Sequence, residues 1–195
     1  MNQKKKRILK IAESAVMLSL ATALSMVMLF HLPAGGSVTV FSMLPILIIA
    51  YRYGFLWGAG VGAIYGVIQM MLGMSALSYA TNALAAVCII AFDYVVAFAV
   101  LAFGGLFRKM KCQPLGFGLG VVIACVLRFL CHFLTGITVW ADYSDGIWPV
   151  VSYSLVYNGS YMLPEMLITL VVGVAVTSVL DLRSESIRPL RRSKN

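Results

Sequence analysis

The chain has 195 residues, of which 61% are apolar and only 11% charged, with a formal net charge of +8. That balance lies outside the range of soluble globular domains and leaves too little polar surface to clothe a water-soluble core. It matches the apolar content of six bilayer spans of about 20 residues each, so the fold expected is all-α, an integral membrane bundle of six transmembrane helices forming one domain over residues 1–195.

A basic stretch (Lys4, Lys5, Lys6, Arg7, Lys10) precedes helix 1, predicted over 8–30. The apolar run from Ile11 to Leu32 exceeds the h-region of a signal peptide, so a retained helix is expected rather than cleavage near Ala34-Gly35-Gly36. Glu13 falls in the first turns, where the helix dipole favours a carboxylate. Pro33-Ala34-Gly35-Gly36 breaks the helix. Helix 2, over 38–50, covers only about 20 Å of a hydrocarbon core of about 30 Å, so it is tilted, partial or shielded by neighbours. Tyr51-Arg52-Tyr53-Gly54 turns the chain into helix 3, over 55–72, whose Gly58, Gly60, Gly62 and Gly66 suit close helix packing. Helix 4, over 83–107, carries Asp93 and Tyr94. After a basic loop, helix 5 (115–140) carries Arg128, His132, Gly136 and Trp140, and helix 6 (149–180) carries Tyr153, Asn158 and Glu165.

Cytoplasmic N- and C-termini place every Lys and Arg except Arg128 on the inner side, in accord with the positive-inside rule. The loops left outside, Pro33–Thr39, Gly73–Asn82 and Ala141–Pro149, contain neither residue. A nucleic-acid partner is excluded, because no basic face is interleaved with aromatics. Cys88, Cys112, Cys125 and Cys131 have no zinc or CxxC spacing and read as small packing residues, so no metal is expected. P-loop, H-E-x-x-H and G-x-S-x-G patterns are missing, which argues against an enzyme and against a bound cofactor.

Ionisable groups inside a bilayer are costly and therefore informative. Counting inward from the outer surface at 1.5 Å per residue, Asp93, His132, Asn158 and Tyr65 fall at one depth of about 12–15 Å. Tyr153 and Trp140 lie nearer the mouth. Such convergence describes a small-molecule pocket open to the outside. His132, Gly136 and Trp140 share a helix face, with Gly136 leaving room for a flat ligand between two rings. Trp140 reads equally as an interfacial belt residue. Asp93 and Glu165 against the single Arg128 leave one negative charge unmatched, which suits a monocationic aromatic ligand. Arg128 and Glu165, at about 18 and 24 Å, read as a structural pair beneath the pocket.

The run Arg128-Phe-Leu-Cys-His132-Phe-Leu-Thr-Gly136-Ile-Thr-Val-Trp140, then Tyr153-Ser-Leu-Val-Tyr-Asn158-Gly159, has the order H-x3-G-x3-W…Y-x4-N-G. It resembles the thiamine-specific substrate-binding subunit (S-component) of energy-coupling factor transporters, over nearly the whole chain. The resemblance implies a high-affinity thiamine site lined by His132, Trp140, Tyr153 and Asn158, with Asp93-Tyr94 where the family has a Glu-Tyr pair. It puts Tyr65 at a position that can be Trp, and Gly35-Gly36 where some relatives carry an aromatic lid residue. It implies a bacterial plasma-membrane importer completed by a coupling transmembrane subunit and two ATP-binding subunits. Ala15-Val-Met-Leu-Ser19 then stands for a small-xxx-small docking motif, although the spacing alone equally suits packing within the chain. Two alternatives stay open: another vitamin or a thiamine precursor as ligand, or a stand-alone secondary carrier with Asp93, Arg128 and Glu165 as relay groups.

Overall fold

A computed structural model describes residues 2–31, 37–139, 146–184 and 187–190. In chain order it contains α1 (Gln3–Met26), β1 (Met28–His31), β2 (Ser37–Thr39), α2 (Leu44–Tyr53), α3 (Phe55–Leu72) and a 3-10 segment (Met74–Tyr79). There follow α4 (Ala83–Gly105), α5 (Gln113–Val139) and α6 (Ile147–Val179), then a short pairing of β3 (Leu180–Asp181) with β4 (Arg188–Pro189). Among the described residues, five of the six helices are long and apolar enough to cross a membrane, and α2 is the short one. The all-α membrane class expected from composition is the class found.

The largest departure from the sequence reading lies between α1 and α2. Helix 1 stops at Met26, and residues expected to extend it form β1, antiparallel to β2 with Met28 opposite Thr39 and Phe30 opposite Val38. Helix 2 starts at Leu44 rather than 38, with Pro45 in its first turn, where a missing N–H costs nothing and φ is already helical. At 10 residues it is about 15 Å long. Every side chain from Leu44 to Arg52 is buried, the signature of a helix apolar all round and enclosed by others. Helix 2 is therefore the bundle's central strut, reached by β2 and a following turn in which Val38, Ser42 and Met43 are also buried.

Around α2 the other helices close through small residues. A Cβ on Gly62 would lie 2.3 Å from the Phe98 carbonyl oxygen and one on Gly66 2.5 Å from that of Tyr94, so α3 and α4 touch backbone to backbone. Gly60 has no such neighbour within 4 Å. Helix 4 is uneven: α-helical over Ala83–Cys88, π-helical over Ile89–Val95, α-helical again over Val96–Ala99 and 3-10 over Val100–Gly105.

One end of the bundle gathers the basic residues. Buried Arg52 donates from Nε and Nη2 to the Glu13 carboxylate at 2.9 and 3.1 Å and from Nη1 to the Leu182 carbonyl at 2.9 Å. Arg108 donates to the Arg52 carbonyl at 3.0 Å, and Arg183 to the Tyr51 hydroxyl at 3.1 Å. Lys10 lies 3.9 Å above the Trp57 ring. Glu13 thus serves as the carboxylate partner of Arg52, beyond any interaction with the helix dipole. Since α1 begins and α6 ends beside this cluster, the β1–β2 pairing that follows α1 and the start of α6 lie toward the opposite end.

Candidate functional site

Helices α4, α5 and α6 bring together three polar side chains that are far apart in sequence. Asp93 lies in the π-helical stretch of α4, a kind of local widening that recurs at functional positions. Its Oδ1 is 2.9 Å from His132 Nδ1 on α5. A carboxylate oxygen accepts, so Nδ1 is the donor in this contact. His132 Nε2 is buried without a hydrogen-bond partner among the described residues. A buried ring nitrogen left unpaired is costly unless something else completes it.

Asn158 on α6 is 4% exposed and held on both ends of its amide. Nδ2 donates to the Ser154 carbonyl (2.9 Å) and hydroxyl (3.1 Å) and approaches the His132 carbonyl at 3.4 Å, while Oδ1 accepts from the Tyr161 hydroxyl at 2.7 Å. The Tyr161 ring stands edge-on to the His132 ring, centroids 6.3 Å apart. Tyr153, Tyr157 and Tyr161 form an aromatic ladder on one face of α6, Tyr153 stacked on Tyr157 at 5.7 Å and Tyr157 edge-on to Tyr161 at 5.6 Å. The sequence reading missed Tyr157 and Tyr161, although their four-residue spacing from Tyr153 was the signal that could have found them.

Other expected site residues occupy different surroundings. Gly136 faces α6: a Cβ there would lie 2.2 Å from the Ser154 hydroxyl, so Ser154 takes the room expected for a ligand. The hydroxyl of Tyr94 donates to the Gly73 carbonyl at 2.6 Å and ties α4 to the 3-10 segment after α3. Tyr65 is fully buried against Phe98, and its hydroxyl donates to the Ala21 carbonyl at 3.1 Å. Tyr153 is 46% exposed near the start of α6. Trp140 and Gly35-Gly36 lie outside the described residues. Ala15 and Ser19 are exposed on α1, the Ser19 hydroxyl donating to the Ala15 carbonyl at 3.0 Å.

Beneath His132 and Asn158 lies a second buried polar group. Arg128, one turn before His132, places Nη1 4.0 Å from Glu165 Oε2 and its guanidinium 4.3 Å above the Phe98 ring. Glu165 Oε1 accepts from the Thr39 hydroxyl at 2.5 Å and the Ser42 hydroxyl at 3.3 Å. The described groups therefore offer a carboxylate, an open imidazole nitrogen and stacked phenol rings, with an ion pair beneath. That combination can hold a flat, cationic heteroaromatic molecule through charge, hydrogen bonds and ring faces.

The sequence model of the family described as thiamine transporter protein matches residues 11–182. The thiamine transporter ThiT of Bacillus subtilis (strain 168) is 31% identical over 184 residues, covering 88% of this chain and 91% of that protein. The ThiT of Lacticaseibacillus paracasei is 26% identical over 188 residues, covering 90% of each. A solved structure of ThiT from Listeria monocytogenes superposes with a TM-score of 0.71 at 23% identity, over 88% of this chain and 94% of that one, which shows a shared fold.

Proposed function

The chain belongs to the thiamine transporter protein family, and from that premise we propose that it is the high-affinity thiamine-binding subunit of an ATP-driven importer of the energy-coupling factor type. It is a transporter rather than an enzyme, and a multi-pass bacterial membrane protein. The observation that carries the binding proposal is the Asp93–His132 pair at 2.9 Å, with His132 Nε2 buried and open. Thiamine joins a cationic thiazolium to an aminopyrimidine, so it presents a charge for Asp93 and both a donor amino group and acceptor ring nitrogens for hydrogen bonds.

The orientation proposed has both termini in the cytoplasm. It is supported by the convergence of Lys10, Arg52, Arg108 and Arg183 at one end, since inner-face loops carry the excess of Lys and Arg. Thiamine then arrives from the opposite, outer end. Asp93 neutralises the thiazolium, His132 offers Nε2, and Tyr153, Trp140 and Asn158 complete recognition. The sequence carries no P-loop, so ATP hydrolysis is assigned to two ATP-binding subunits acting through a coupling transmembrane subunit. That partner is proposed to dock on the exposed Ala15–Ser19 face of α1.

Isothermal titration calorimetry of the purified protein with thiamine tests the ligand. Binding tighter than micromolar is expected, and its absence would remove thiamine from the assignment. Titrations with the isolated pyrimidine and thiazole moieties test the precursor alternative, which requires one of them to bind more tightly than thiamine.

A further inference from the structure

The non-helical turn between the hairpin and α2 is unusual for a membrane protein, because non-helical backbone at bilayer depth persists only where protein encloses and satisfies it. Facing this turn is Glu165, 3% exposed and near the middle of α6. One carboxylate oxygen takes hydroxyl hydrogen bonds from Thr39, the last residue of β2, and from Ser42, just before α2. Between those two donors Phe41 has φ of +39°, in the left-handed region that a bulky side chain rarely adopts. Such a conformation persists only when surrounding contacts over-determine it, and it is characteristic of ligand clamps and switch segments. The other Glu165 oxygen faces Arg128, whose Nη1 also meets the Met43 sulfur in the same turn.

This turn is wired to the candidate site along two helices. Glu165 is seven residues, or about two turns, beyond Asn158 on α6, and Arg128 is four residues, about one turn, before His132 on α5. The Thr39–Met43 turn therefore bears on the same faces of α5 and α6 that carry the site, and any shift of the turn moves its floor. Resting on the thiamine-binding reading above, we propose that Glu165 is a positioning residue: its carboxylate pins the strained Thr39–Ser42 turn against α5 and α6 and so sets how long thiamine is retained.

The test measures association and dissociation of radiolabelled thiamine on the purified full chain. Its variants are Thr39→Val, Ser42→Ala, Glu165→Gln and the double variant Thr39→Val/Glu165→Gln. Thr39→Val and Glu165→Gln are each expected to speed dissociation by about tenfold while association changes less than about threefold, in keeping with affinity changes that reside in the off-rate. The double variant is expected to dissociate more slowly than the product of the two single effects predicts, because Thr39 acts through that side chain. Melting temperatures of the ligand-free variants serve as the control for a merely structural role. Unchanged dissociation in both Thr39→Val and Ser42→Ala would overturn the proposal, as would fully multiplicative effects in the double variant. A lower melting temperature with wild-type dissociation would count against it too. Wild-type protein that fails to bind thiamine would instead sink the reading on which the proposal rests, and a wild type that binds separates the two failures.

Discussion

At the scale of single residues, Asp93 and Gly136 show how differently two site expectations translate into physics. Asp93 faces His132 at 2.9 Å, the two side chains partly buried between α4 and α5. Removing a carboxylate that pairs with a ligand's cation in the closed complex costs about 2–5 kcal/mol, or about 30-fold and upward in Kd. Asp93→Asn is therefore expected to weaken thiamine binding by at least that factor, read by calorimetry, while the helix content by circular dichroism stays unchanged; wild-type affinity would remove Asp93 from the site. Gly136 behaves as a packing residue. Gly136→Ala drives a methyl into the Ser154 hydroxyl at 2.2 Å and is expected to cost about 1–3 kcal/mol as an overpacked contact. The loss should appear as a lowered melting temperature in detergent, and Ser154→Gly in the same chain should restore most of it. The two outcomes also mark what sequence makes legible. An ionisable residue in a span announces itself by its cost, so Asp93, His132, Arg128 and Glu165 stood out at once. A glycine does not disclose what fills its empty side, because Ser154 reaches it only after α5 and α6 pack. The hydroxyls of Thr39 and Ser42 were likewise invisible as partners, since neither residue type is rare enough to draw notice.

Among the elements, α2 was the least regular expectation and became the centre of the bundle. Its apolar run was plain in the sequence, but a 10-residue helix enclosed on all sides and a spanning helix shortened by tilt have the same hydropathy. The hairpin pairing of Met28–His31 with Ser37–Thr39, which sets where the chain enters α2, separates them. The ends of α5 and α6 show the same dependence on tertiary contact. Gln113, 4% exposed at the start of α5, donates to the Thr177 carbonyl at 2.9 Å and the Leu180 carbonyl at 2.6 Å. Its Oε1 accepts from the Leu182 amide at 3.1 Å. One side chain thus satisfies backbone groups that the end of α6 leaves open. Gln113→Leu strands those groups in a dry interior, each at a cost of about 1–3 kcal/mol. The expected result is a marked drop in melting temperature with thiamine affinity unchanged, since the residue sits at the basic end, away from Asp93 and His132. A loss of affinity at unchanged stability would mean that the two ends are coupled more tightly than their separation suggests.

For the whole molecule, the question is how a thiamine transporter family member whose sequence carries no P-loop is energised. The basic end is held rigidly: Arg52 joins α1 through Glu13 and the segment after α6 through Leu182, and Arg108 joins the end of α4 to α2. Such cross-bracing favours motion of the bundle as one body over the rocking of two halves that a self-sufficient carrier needs. Helix α1, by contrast, exposes Ala15, Val16, Ser19 and Leu20 on one side, a face of small and apolar residues where a partner helix can approach closely. Proteoliposomes containing this chain alone are therefore expected to bind thiamine without accumulating it. Adding the coupling subunit and two ATP-binding subunits should yield uptake that requires internal ATP. Ser19→Trp places a large ring on the proposed docking face, remote from Asp93 and His132. It should leave calorimetric thiamine binding at wild-type strength while abolishing both co-purification with the coupling subunit and ATP-driven uptake. ATP-independent accumulation by the chain alone would favour the stand-alone carrier, and assembly of the Ser19→Trp variant with its partners would move the docking face elsewhere on the bundle.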